Sequence, residues 1–316
     1  MPVFLRGSGG CFLVPLCYNG GDHTPGAGGG QPRPAGQTDW RADDMTEKER
    51  LLASAEAFTA SSHWNRVSPE EAISPQLAGV QIYDAPLMGC SDAADGLYRE
   101  LQRPEVVGPQ LILPEGWLPG ARTVVSLFFP FTEAVRRSNT GGALPSPLWL
   151  HGRIEGQRFL SKLAEHLAGA LEQAGYRAVV PVLSSRFRIN DVAAGMPFGS
   201  NWSERHAAFI SGLGTFCLSK GLITEKGVAG RFISLVTDAV FQPTPGPYTD
   251  IYEFCTKCGA CARRCPVDAI SLEGGKEHPP CSAYQKKMGK MFSPRYGCGK
   301  CQVGVPCEAR NPSSPR

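Results

Sequence analysis

Four cysteines, Cys255-x2-Cys258-x2-Cys261-x3-Cys265 followed by Pro266, restrict the last third of this chain to a narrow set of folds. This is the spacing of the bacterial ferredoxin loop. A cubane cluster needs a thiolate at each iron, and two-residue gaps let one tight loop supply three corners with its amides turned toward the sulfurs. Pro266 follows a cysteine that the chain carries away from the loop, so Cys265 reaches a neighbouring cluster and one run implies two. The chain holds 12 cysteines, eight of them between Cys255 and Cys307, and Cys281, Cys298, Cys301 and Cys307 complete the supply. The expected sets are Cys255, Cys258, Cys261 and Cys307 for one 4Fe-4S cluster, and Cys265, Cys281, Cys298 and Cys301 for the other.

Other cysteine chemistries fit less well. Cys258/Cys261 and Cys298/Cys301 are both C-x2-C pairs, which would suit zinc ribbons. Zinc sites seldom place three cysteines at successive x2 gaps with a fourth before proline. A disulfide framework calls for a secreted chain. Cys11, Cys17, Cys90 and Cys217 are isolated and read as structural. Ten Lys and Arg face four Asp and Glu between residues 254 and 310. Two clusters of about −2 each absorb most of that excess, so Lys257, Arg263, Arg264 and Lys300 are expected to tune reduction potential and not to grip phosphate.

The 316 residues are 42% apolar and 19% charged, which excludes a disordered or membrane-embedded chain, and the net charge of +3 does not imply a polyanionic partner. The apolar run from Cys11 to Cys17 is broken by Pro15 and lacks a cleavage pattern, so the expected location is cytoplasmic. Residues 1–44 hold ten Gly and five Pro and are expected to be disordered, or to be an upstream extension before a natural start at Met45.

Residues 45–241 read as one α/β domain. Thr46 and Glu49 have capping-box spacing ahead of a short amphipathic helix. Arg122 to Phe131 reads as a strand buried on both faces. Phe159 to Ala174 is a helix of roughly 20 residues with Gly175 as its cap, and Tyr176 to Leu183 a second strand. Together they predict a right-handed parallel crossover. Ser203 can cap a helix from Glu204 to Ile210 before the Gly212-Leu213-Gly214 turn, and Arg231 to Thr237 is a further strand. No dinucleotide or P-loop pattern is present. Gln242 to Pro247, with three prolines, marks a boundary, after which residues 248–310 form a ferredoxin-like double-cluster domain.

An α/β domain before a double-cluster module resembles the epoxyqueuosine reductase family and its relatives, the corrinoid-dependent reductive dehalogenases. The resemblance covers about residues 70 to 307. It rests on the cysteine set, the Ser203-Glu204-Arg205 helix running into Gly212-Leu213-Gly214, and the strand ending Val236-Thr237-Asp238. It implies a nitroreductase-like fold holding a cobalamin, an external electron donor (ferredoxin, flavodoxin or a reductase), and iron–sulfur reductase activity. Those relatives carry an aspartate before the E-R pair and continue into helices that hold tRNA. Here the matching stretch, Met196 to Asn201, has no carboxylate, and the chain stops nine residues after Cys307. A divergent reductase with another substrate is therefore expected, with His206 and Glu204 as candidate acids, and Asn201, Ser203, Gly212, Gly214 and Lys220 against the corrinoid or substrate. Tyr83, Asp84 and Asp191 are the alternative proton donors. The competing expectation is an electron-transfer protein with no organic cofactor of its own.

Overall fold

The computed structural model describes residues 45–189 and 198–314; the expectations for residues 1–44 and for Asp191, Met196 and Pro197 lie outside them. Helix α1 (Glu47–Ser61) begins where the capping box predicts: the Thr46 hydroxyl accepts from Glu49 N at 3.3 Å, and the Glu49 carboxylate accepts from Thr46 N at 2.8 Å. Strand β1 (Leu87–Asp92) and the short helices α2 (Gly96–Glu100) and α3 (Pro114–Trp117) lead into β2 (Thr123–Pro130), every residue of which is buried.

Helix α4 (Glu133–Ser138) precedes α5, which is longer than its periodic core suggests. It runs Pro147–Gln173 because Ser146 accepts from Trp149 N and Pro147 presets the first turn. It ends in a Schellman motif, with Gly175 N donating to Glu172 O and Tyr176 N to Leu171 O. The expected strand Tyr176–Leu183 shrinks to β3 (Ala178–Val179), since Pro181 has no N–H for a ladder and opens a 3-10 turn. Then follow α6 (Glu204–Ile210), the β4 (Gly214–Phe216) and β5 (Leu222–Thr224) hairpin, and β6 (Gly230–Thr237).

The main sheet has the order β1-β2-β6-β3 with every neighbouring pair antiparallel. This corrects the predicted crossover. β2 and β3 run in the same direction on either side of α5, but β6 lies between them and takes the hydrogen bonds of both. Side chains alternate across β2. Val125, Leu127 and Phe129 pack with Phe159, Leu160, Leu163 and Leu167 of α5 in one core. Val124 meets Trp117, Trp202 and Ala207, and Phe128 meets Ala208 and Leu213, on the α6 side.

Gln242 to Pro247 lies along β1, with Thr244 N donating to Cys90 O at 2.8 Å and Cys90 N to the Thr244 hydroxyl at 3.0 Å. Beyond it come α7 (Ala260–Arg263), the β7 (Ile270–Ser271) and β8 (Gly275–Lys276) hairpin, and α8 (His278–Met291). This mixed α/β chain with a ferredoxin-like cysteine segment is knitted by backbone bonds: Phe216 N to Ile251 O, Val228 N to Cys307 O and Ala229 N to Glu308 O. Among the described residues no helix is long and apolar enough to cross a membrane.

Candidate metal centres

Two loops of the same design hold four of the cysteines. In Cys258-Gly259-Ala260-Cys261 and Cys298-Gly299-Lys300-Cys301 the glycine is left-handed, at φ +71° and +68°, and each opens a helical turn. That geometry reverses the chain between two thiols while turning amides inward. Around the first loop, Cys255, Cys258, Cys261 and Cys307 line one cavity, of about 20 Å³. Around the second, Cys265, Cys281, Cys298 and Cys301 line another, of about 170 Å³. Cys281 comes from the first turn of α8, and Cys265 Sγ accepts from Ala269 N at 3.2 Å.

Burial pushes the Cys261 and Cys298 thiols up to about 12, and crowding by the other thiols of each set adds to it. Four such groups become thiolates together when a metal centre compensates their charge. A single zinc would draw its ligands to about 2.3 Å from one point. Among the described residues no three His, Cys, Asp or Glu side chains converge in that way. The thiols are instead spread around their cavities, Cys255, Cys258, Cys261 and Cys307 around one and Cys265, Cys281, Cys298 and Cys301 around the other.

Cys217 joins the wall of the first cavity. It is buried, its sulfur is 3.2 Å from the Ser219 hydroxyl and 3.4 Å from Gly221 O, and burial pushes its thiol up to about 11. No spacing in the sequence links it to the other four cysteines of that cavity, because the β4–β5 hairpin brings it there. The cations beside the second cavity were missed as well. Arg153 from α5, Arg205 from α6, Arg231 from β6 and Lys276 from β8 line it. The four cations that charge counting selects do other work. Lys300 is buried and donates to Asn139 O at 3.0 Å and Gly141 O at 2.6 Å; Arg264 donates to Lys300 O and Thr140 O. Arg263 donates to Cys258 O, and Lys257 is exposed.

The residues expected to hold a corrinoid do not form one wall. Asn201 staples a loop, accepting from Arg188 N and donating to Arg186 O. The Ser203 hydroxyl faces His206 Nδ1 at 2.8 Å and does not cap α6. Gly212 and Gly214 stand where a Cβ would lie 2.6 Å from Thr244 O and 1.9 Å from Ile223 O, so they serve close backbone packing. Lys220 Nζ is 3.4 Å from His278 Nε2. None of these five residues lines either cysteine cavity.

The candidate acids also separate. Glu204 is buried on the core side of α6. Trp202 Nε1 donates to the Ser234 hydroxyl at 2.9 Å, and both groups lie beside the Glu204 carboxylate and favour its charged form, although neither carboxylate oxygen has a well-formed hydrogen bond. Burial raises its pKa to about 7. His206 is half-buried with its ring centroid 4.8 Å from that of Phe216. Neither lines a cysteine cavity, whereas Arg205 between them does, donating from Nη1 to Lys220 O. Tyr83 is sealed in the core against Phe131, where burial raises its pKa, and Asp84 is exposed.

Residues 248–271 match the family model of a 4Fe-4S binding domain, which defines the class of this segment. Over 67 residues the chain is 36% identical to the gamma subunit of coenzyme F420 hydrogenase from Methanosarcina barkeri, covering 19% of this chain and 26% of that one. Solved structures similar to it include epoxyqueuosine reductase from Streptococcus thermophilus, at 16% identity and TM-score 0.47 over 72% of this chain and 64% of that one. Epoxyqueuosine reductase from Bacillus subtilis gives 17% and 0.47, over 83% and 65%. A catabolic reductive dehalogenase gives 18% and 0.47, over 72% and 30%. The chain thus spans about a quarter of the hydrogenase subunit and under two thirds of these reductases.

Proposed function

We propose that this chain is an iron–sulfur reductase in which an external donor, such as a ferredoxin, a flavodoxin or a flavin reductase, loads two 4Fe-4S clusters that pass single electrons to an acceptor beside the second. The observation that carries this reading is the pair of cavities, each walled by four thiols. Cys258, in the first set, is exposed and suits electron entry. The second set faces α5, α6 and β6, which suits delivery into the α/β part. Residues 45–241 would then be the acceptor domain, 248–310 the cluster domain, and the cytoplasm the working compartment. A corrinoid remains one candidate for that acceptor, and a substrate bound directly is the other.

Glu204 is the proton source in this reading. Burial brings this carboxyl to about 7, so near neutral pH both its protonated and its ionised forms are populated and it can give up and regain a proton. It lies close enough to Arg231 to feel its charge, and Arg231 lines the second cavity. His206, hydrogen-bonded to Ser203, is the second candidate.

Anaerobic reconstitution followed by iron and acid-labile sulfide analysis tests the core of the proposal. About eight irons per chain are expected, with two half-integer-spin signals after full reduction. A stable four-iron protein, or one that takes up zinc and no sulfide, refutes it.

A further inference from the structure

The two cysteine cavities differ in a way that two equal clusters do not explain. Each has four ligating thiols, yet the second is larger by about 150 Å³. The larger one extends beyond its thiols to Arg153, Arg205 and Arg231. Its wall carries three guanidiniums and one ammonium, from Arg153, Arg205, Arg231 and Lys276, and no Asp or Glu.

Lys276 belongs to the cluster side. Its ammonium shares the wall with Cys281 and Cys301. A cubane with four thiolates carries about −2, so the wall retains an excess of about two positive charges.

Arg231 stands at the centre of that excess. Its Nη2 donates to Gln157 Oε1, which fixes the guanidinium, while its Nε is buried without a hydrogen-bond partner. Burial first, then the charges of Arg153 and Arg205, hold its pKa down to about 10. Like charges gathered in a low-dielectric cavity repel, and a bound anion removes the repulsion. The planar fork of arginine suits an oxyanion with two acceptor atoms. Arg153 is held in place on this wall, stacked 4.8 Å from the Tyr296 ring centroid with Nη2 donating to its hydroxyl at 3.0 Å.

We propose that the larger cavity binds a small substrate by its oxyanion group, a carboxylate or a phosphate, with Arg231 and Arg205 gripping it beside the second cluster. This rests on the reductase reading and names the substrate class it would serve.

The test uses the reconstituted full chain and two probes, inorganic phosphate and acetate, titrated calorimetrically against chloride at equal ionic strength. Saturable one-site binding of at least one probe is expected, weakened tenfold or more in both Arg231→Gln and Arg205→Gln. Phosphate alone binding assigns a phosphoryl group, acetate alone a carboxylate. The midpoint potential of the second cluster should fall on binding in the parent and stay fixed in Arg231→Gln. Eight-iron parent protein that binds neither probe overturns the proposal alone, and so does binding unchanged in both variants, which would leave the cations serving only the cluster. If Arg231→Gln loses iron, Arg205→Gln carries the comparison. Failure of the parent to take up iron overturns the underlying reductase reading instead.

Discussion

Gly299 shows how tightly single positions are set around the second cysteine loop. It is left-handed at φ +68°, and a Cβ there would lie 1.9 Å from the Trp149 ring. Gly299→Ala is therefore expected to push Cys298 and Cys301 off α5 and roughly halve the iron content in colorimetric assay. Glu204 gives a pH signature. Between its ordinary 4.5 and about 7 the folded chain keeps a proton that the unfolded chain has released. Stability should fall as pH rises through that window and level off above it, by about 3 kcal/mol or less. Glu204→Gln should flatten the curve and exceed the parent in stability above pH 7, as read by denaturant unfolding from about pH 5 to 8. At this scale the sequence is uneven. Cysteine spacing is legible because one loop must wrap one metal centre. Arg153, Arg205 and Arg231 are not, because three separate elements bring them together.

Among the elements, α1 and the cap of α5 follow from local chemistry, since Thr46, Glu49, Ser146 and Gly175 act on their own turns. Strand pairing does not. Nothing in Tyr176 to Leu183 reveals that β6, some fifty residues later, takes the place beside β2, and only Pro181 warns that the strand is short. The turn after α4 illustrates the same dependence on tertiary packing. In sequence Lys300 reads as a cation that tunes a cluster, and its buried ammonium donates to Asn139 O and Gly141 O, fixing the cysteine segment to that turn. Lys300→Met strands both carbonyls and should cost about 2 kcal/mol or more in urea unfolding, with cluster bleaching preceding loss of helical circular dichroism.

For the molecule as a whole, the partition of eight cysteines into two sets crosses the sequence. Cys265 sits with Cys281, Cys298 and Cys301, while Cys307 returns to Cys255, Cys258 and Cys261. Cys265→Ser should deplete the signal of one cluster and Cys307→Ser that of the other in electron paramagnetic resonance of reduced protein. Loss of the same signal in both would dissolve the assignment. The broad mixed α/β plan and the ferredoxin-like segment are visible in composition and motif, but the position of β6 at the centre of the sheet is not. That position has a consequence for biosynthesis. Residues 230–237 are the last of the sheet to leave the ribosome, and without them β3 has no partner and β2 has only β1. The sheet closes late, and the ferredoxin loop and the six cysteines after Cys255 and Cys258 are translated directly behind it. Arg153, Arg205 and Arg231 are all made before the first of those cysteines.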